Sequence, residues 1–160
     1  MFAVTSDGPV SYTELVEQLA ALVAGESDAV ANLANVSALL FHTLPDLNWA
    51  GFYLMKEGEL VLGPFQGKPA CIRIKVGKGV CGTAVSERAS VLVPDVHAFP
   101  GHIACDSESR SELVVPMIKD GQVVGVLDLD SPKLGRFGRD DQQGCEILVA
   151  ELMRHLSVTW

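Results

Sequence analysis

The spacing of apolar residues changes several times along this chain, and each change predicts a change of element. Near the start, Leu15, Val16, Leu19 and Leu22 recur at helical spacing. Ser11 to Glu14, "SYTE", has the form of a capping box opening that helix, and Gly25 ends the run. A second helix is predicted after Ser27, with Val30, Leu33, Ala34, Val36, Leu39 and Leu40 as its apolar positions and Pro45-Asp46 as its stop. The period then shortens. "NWAGFYLMKEGELVLGPF" carries two apolar runs around Lys56-Glu57-Gly58-Glu59, which predicts a β-hairpin. "CIRIKV" alternates, with Ile72, Ile74 and Val76 on one face and Arg73 and Lys75 on the other.

"GKGVCGTAVSERAS" reads as a glycine-rich turn entering a short helix, and "VLVPDV" as a short strand. "ELVVPMIKDGQVVGVLDLD" predicts a second hairpin, turned at Asp120-Gly121. From about Asp140 to Leu156 the helical spacing returns, with Ile147, Leu148, Leu152 and Leu156 as the expected apolar face. Strands joined by hairpins, with helices at both ends of the chain, predict an α+β fold: one antiparallel β-sheet flanked by N- and C-terminal helices. Residues 1–160 fit one domain. The stretch from Val96 to Ser111 has no periodicity, and a long irregular segment inside a compact domain is more often functional than accidental.

Composition narrows the function. The chain is 48% hydrophobic, enough for a real core, but no apolar stretch is long enough to span a bilayer. The opening "MFAVTSDGPVSYTE" lacks the basic and apolar regions of a signal peptide, so a cytoplasmic protein is expected. With 12 basic and 20 acidic side chains the net charge is -8, which argues against nucleic acid and for a small molecule or protein partner. The four cysteines, Cys71, Cys81, Cys105 and Cys145, show no CxxC pair. In a cytosolic chain they are buried apolar residues or redox-active thiols rather than structural disulfides.

Several groups could carry chemistry. Asp128 and Asp130, in "VLDLD", share one strand face with Val126 and Val124, so an apolar face ends in two carboxylates. A strand end emerging into water is the plain alternative. Trp49 and Tyr53 share a face with Gly51 between them, which suits one wall of a pocket as well as ordinary core packing. "VGKGVCG" matches neither a P-loop nor a dinucleotide fingerprint, though its backbone could approach an anion. His97 and His102 flank Cys105 without metal-ligand spacing. Cys105 itself poses a conflict. Asp106, Glu108 and Glu112 follow it, and carboxylates disfavour the thiolate that a reactive cysteine needs.

Five segments, "NWAGFYL", "LVLGPFQGKPAC", "VGKGVCGTAV", "DVHAFPGHIACDSESRSE" and "GVLDLDSP", together resemble the free methionine-(R)-sulfoxide reductase family, small proteins of the GAF fold. The resemblance runs from about Gly25 to Gln142. It implies that Cys105 is the nucleophile, that Cys71 resolves it by forming a disulfide, and that Cys81 assists in passing that disulfide on. Trp49, Tyr53, Glu112, Asp128 and Asp130 match positions of the family's substrate pocket. Thioredoxin is the electron donor the resemblance implies. No bound cofactor and no metal is expected, and a homodimer is suggested by analogy with other GAF-fold proteins.

That chemistry gives the acids a purpose. A sulfoxide oxygen is a poor leaving group until it is protonated, so the reaction needs sulfur and a proton donor together. Crowded carboxylates keep one proton among them near neutral pH. Glu112, nearest Cys105 in sequence, is the expected donor. Asp128 and Asp130 then suit the ammonium group of a free amino acid, which a methionine within a chain lacks. The competing readings are a GAF-type redox or small-molecule sensor without turnover, and a reductase of protein-bound methionine sulfoxide.

Overall fold

The structure, a computed structural model, describes residues 11–102 and 107–160. Cys105 and Asp106 lie outside the described residues. Helix α1 spans Tyr12–Val23, and the Ser11 hydroxyl accepts from the Glu14 N–H at 3.3 Å. Helix α2 spans Ala29–Thr43 and is capped by Asp28, whose Oδ1 accepts from the Ala31 N–H at 2.8 Å. Strands β1 (Trp49–Lys56) and β2 (Glu59–Gly67) form the first hairpin. Glu57 and Gly58 both have positive φ, 52° and 83°, as a tight two-residue turn between twisted strands requires. Strand β3 (Arg73–Lys75), helix α3 (Gly79–Glu87) and strand β4 (Val91–Val93) follow. Strands β5 (Ser111–Lys119) and β6 (Gln122–Ser131) form the second hairpin, and α4 (Arg139–His155) closes the described chain.

The six strands make one antiparallel sheet in the order β3-β2-β1-β6-β5-β4. Strand alternation divides the molecule. Ala50, Phe52 and Leu54 of β1, Leu113, Val115 and Met117 of β5, and Leu127 and Leu129 of β6 join a core shared with α1, α2 and α4. The intervening residues, Trp49, Tyr53, Val114 and Val126, join a second core beneath α3. The sheet is thus covered by three helices on one face and by α3 with its loops on the other.

Four expectations change in detail. In α2, Val30 is 61% exposed and Ala34 is exposed, while Asn32 and Ser37 are buried. Both polar side chains find backbone partners: Asn32 Nδ2 donates to Glu26 O, and Ser37 Oγ donates to Leu33 O and Pro64 O. Those bonds remove the cost of burying them. In "CIRIKV" only Ile74 is buried, because β3 is a three-residue edge strand and Ile72 and Val76 fall outside it. In β6, Val124 leaves the acidic face. Met117 pairs with Gly125 and Ile118 with Val123, so Val124 is an extra residue that packs toward the three-helix core. In α4 the inward stripe is Cys145, Leu148, Val149, Leu152 and Met153, and Ile147 is 58% exposed.

Candidate active site

Register assembles the acids. Across the sheet, Glu112 of β5 pairs with Asp130 of β6, and Asp130 pairs with Trp49 of β1. One step along, Val114 pairs with Asp128, and Asp128 with Gly51. The face under α3 therefore carries a row of acid, acid and aromatic beside a row in which glycine stands next to an acid. Gly51 has two reasons to lack a side chain. A Cβ there would meet Phe65 Cβ at 2.3 Å, and it would stand on the strand directly beside Asp128.

Trp49, Tyr53, Cys81, Glu112, Asp128 and Asp130 line one pocket, together with Lys78, Gly79, His102 and Ser109. Trp49 stacks on Tyr53 at 5.8 Å between ring centroids and on Phe65 at 5.1 Å. The Trp49 indole N–H donates to Lys68 O at 3.1 Å, and the Tyr53 hydroxyl donates to Cys71 O at 3.0 Å. The aromatic wall is therefore tied to the segment that carries Cys71. Cys71 is disulfide-bonded, whereas Cys81 and Cys145 are free, buried thiols.

The electrostatics follow from burial. Glu112 and Asp128 are 7% and 5% exposed. Burial, then the neighbouring Asp128 and Asp130, pushes the Glu112 carboxyl well above the usual carboxylate range. Burial also raises Asp128, partly offset by hydrogen bonds from Glu112 and Cys81. Both carboxyls are raised together, so the buried pair of Glu112 and Asp128 favours keeping a proton between them. Cys81 is pushed up by burial and then by Asp128, Glu112 and Asp130, so it stays a thiol here. Burial and the same acids raise Tyr53, keeping its phenol a hydrogen-bond donor. Asp128 nonetheless has one buried oxygen, Oδ1, without a hydrogen-bond partner among the described residues. A buried acceptor left unmet costs free energy, and a ligand carrying N–H donors would satisfy it.

A profile of the GAF domain family matches residues 16–159. A free methionine-R-sulfoxide reductase of Escherichia coli is 54% identical over 148 residues, covering 92% of this chain and 90% of that protein. The chain belongs to the free methionine-R-sulfoxide reductase family. Two solved structures of that family superpose closely. One, from Staphylococcus aureus in its reduced form, has a TM-score of 0.91 at 51% identity, covering 96% of this chain and 100% of the other. Another, from Neisseria meningitidis in complex with its substrate, has a TM-score of 0.92 at 44% identity, covering 97% and 95%.

Trp49, Tyr53, Glu112, Asp128 and Asp130, the pocket positions that the resemblance implies, line one pocket; their roles are taken up below as a proposal. Two neighbours of the pocket were not legible in the sequence as site residues, Phe65 and Ser109. Phe65 backs Trp49 from β2, and no spacing in β2 marks it. Ser109 lines the pocket and accepts from Asn48 Nδ2 at 3.0 Å, across 61 residues of sequence. His102, which the sequence places beside Cys105, lines the pocket, and burial, then His97, lowers its pKa. Glu108 lies away from the acid cluster, in an exposed ion pair with Lys68 at 2.9 Å, a kind of contact worth less than about 1 kcal/mol.

Proposed function

We propose that residues 1–160 act as one catalytic unit that reduces free methionine (R)-sulfoxide to methionine. The observation that carries this reading is the unmet Asp128 oxygen beside the Glu112 proton, in a pocket walled by Trp49 and Tyr53. It supplies an acceptor for an ammonium group, a donor for an oxygen and an apolar surface for a methyl group. A methionine within a peptide has an amide in place of the ammonium. The site therefore favours the free amino acid, with Asp130 completing the anionic clamp. Lys78 and the amino end of α3, which face the same pocket, suit its carboxylate.

In the proposed cycle the Cys105 sulfur attacks the sulfoxide sulfur while Glu112 protonates the oxygen. The oxygen passes to the Cys105 sulfur as the transient sulfur–sulfur bond and the original sulfur–oxygen bond break, so methionine leaves reduced by two electrons and Cys105 is oxidised by two to a sulfenic acid. The Cys71 thiol displaces it as water and forms a disulfide, and an external dithiol returns both thiols. The disulfide-bonded state of Cys71 and its tie to the Tyr53 wall support this role. Cys81 assists in passing the disulfide on, a step that requires it to lose the proton that its acidic neighbours now stabilise. Thioredoxin serves as donor, which suits a cytoplasmic protein. A homodimer is the assembly that the family resemblance suggests. Recovery of oxidised methionine makes the role antioxidant.

The test offers the separate R and S epimers of free methionine sulfoxide, and an N-blocked R form, with thioredoxin and its reductase. We expect turnover of the free R epimer alone, lost in Cys105→Ser. Equal turnover of the N-blocked form would remove the ammonium argument. Disulfide formation without turnover of any of these would point to a redox sensor instead.

A further inference from the structure

Cys81 of α3, Glu112 of β5 and Asp128 of β6 approach each other from three elements. One potential ligand atom from each, the thiol sulfur and two carboxylate oxygens, lies within 4.8 Å of both others. All three residues are more than nine-tenths buried, at 4%, 7% and 5% exposure. All three also line the pocket, so an ion can reach them from solvent. The second observation is the bare Asp128 Oδ1, a buried acceptor with no partner among the described residues. The reductase reading uses Glu112 and Asp128 for substrate and Cys81 for disulfide transfer, but it needs no thiol sulfur beside those two carboxylates.

We propose that Cys81, Glu112 and Asp128 form a binding site for a thiophilic divalent cation of the zinc class. The donor set selects the ion. Magnesium and calcium take oxygen ligands alone, whereas one thiolate with two carboxylates suits zinc or cadmium. Zinc bonds to sulfur at about 2.3 Å and to carboxylate oxygen at about 2.0–2.2 Å. Around a tetrahedral ion such ligand atoms stand roughly 3.3–3.7 Å apart, which small side-chain rotations inside the 4.8 Å cluster provide. Protons leave as the ion enters, and its charge relieves the crowding of the acids. The fourth position faces the pocket, where it takes water. An ion there occupies the place that the reductase reading gives to the ammonium group, so it would block the enzyme reversibly. That consequence rests on the reductase reading; the binding site does not.

The oxidised protein gives a clean measurement, because Cys71 is then held in its disulfide and Cys145 lies in the other core. It is dialysed against cadmium, and bound metal and thiolate-to-cadmium absorption in the near ultraviolet are measured. We expect one ion per chain with the absorption band. The band should be lost in Cys81→Ser, affinity should fall at least about tenfold in Asp128→Asn, and Cys145→Ser should behave as wild type. Excess magnesium should not displace the ion. Circular dichroism confirms that each variant is folded, and Glu112→Gln replaces Asp128→Asn if the latter is not. No band, a band that survives in Cys81→Ser, or one abolished in Cys145→Ser would overturn the proposal. Turnover of free sulfoxide is measured separately, so either reading can fail alone.

Discussion

At the scale of single residues, the proposed cycle makes Glu112 the reason a thiol enzyme would tolerate an acidic site. Its carboxyl is buried beside two other acids, and burial, then the neighbouring Asp128 and Asp130, pushes it well above the usual carboxylate range, which favours the protonated form. Glu112→Gln should lower turnover by about 10²–10⁴-fold, the usual range for a general acid, with a smaller change in KM. Stability carries the same signature with a defined sign. A carboxyl whose folded pKa is raised contributes stability below its usual value of 4.5, and that contribution is lost as pH rises above it. Between pH 5 and pH 8, wild type should therefore lose more stability in urea unfolding than Glu112→Gln does. Equal losses would mean that the carboxyl is not protonated in the folded protein. Asp128 and Cys81 crowd Glu112 in one buried cluster, so their single variants should not be additive with Glu112→Gln.

At the scale of elements, the pocket depends on how β1 passes between β2 and β6. The β1–β2 register shifts between Gly51 and Tyr53, and Phe65 closes over Gly51 at the shift. In Gly51→Ala the new Cβ would also meet Phe65 Cα at 2.7 Å and Pro64 O at 2.9 Å, so the backbone of β2 must yield. The expected cost is about 1–3 kcal/mol by thermal unfolding, as for other overpacked sites. Because Phe65 supports the Trp49 ring, KM for the sulfoxide should rise as well. An unchanged KM would show that the stack does not shape the pocket. Gly82 marks a similar limit in α3, where a Cβ would meet Lys75 O at 2.4 Å. That close approach lets the helix bring Cys81 down onto the acids of β5 and β6.

At the scale of the whole molecule, the sheet separates two kinds of cysteine. Cys81 lies beneath α3 with the acids, and Cys145 lies among α1, α2 and α4. Burial pushes the Cys145 thiol up to about 12, so it is inert. Cys145→Ala should keep full turnover and cost about 1 kcal/mol of stability, the price of a small cavity. A loss of turnover greater than the loss of folded protein would show coupling across the sheet. No described helix is long and apolar enough to cross a membrane.

The amino-acid sequence by itself determined the order of the elements, both hairpin turns and the sharing of one face by Asp128 and Asp130. Each of these follows from local chemistry: capping residues, positive-φ turn residues and strand alternation. It also carried the five segments that place the chain in its family. Only the tertiary structure decided that Glu112 stands across from Asp130, that Cys81 meets both Glu112 and Asp128, that Phe65 stacks on Trp49 and that Ser109 lines the pocket. Those contacts depend on strand register and on the docking of α3, which join residues far apart in the chain. The errors have the same origin. Val30, Ile72 and Ile147 are apolar at helix or strand spacing, yet they are exposed among the described residues. Val124 changes face because a single bulge shifts the alternation.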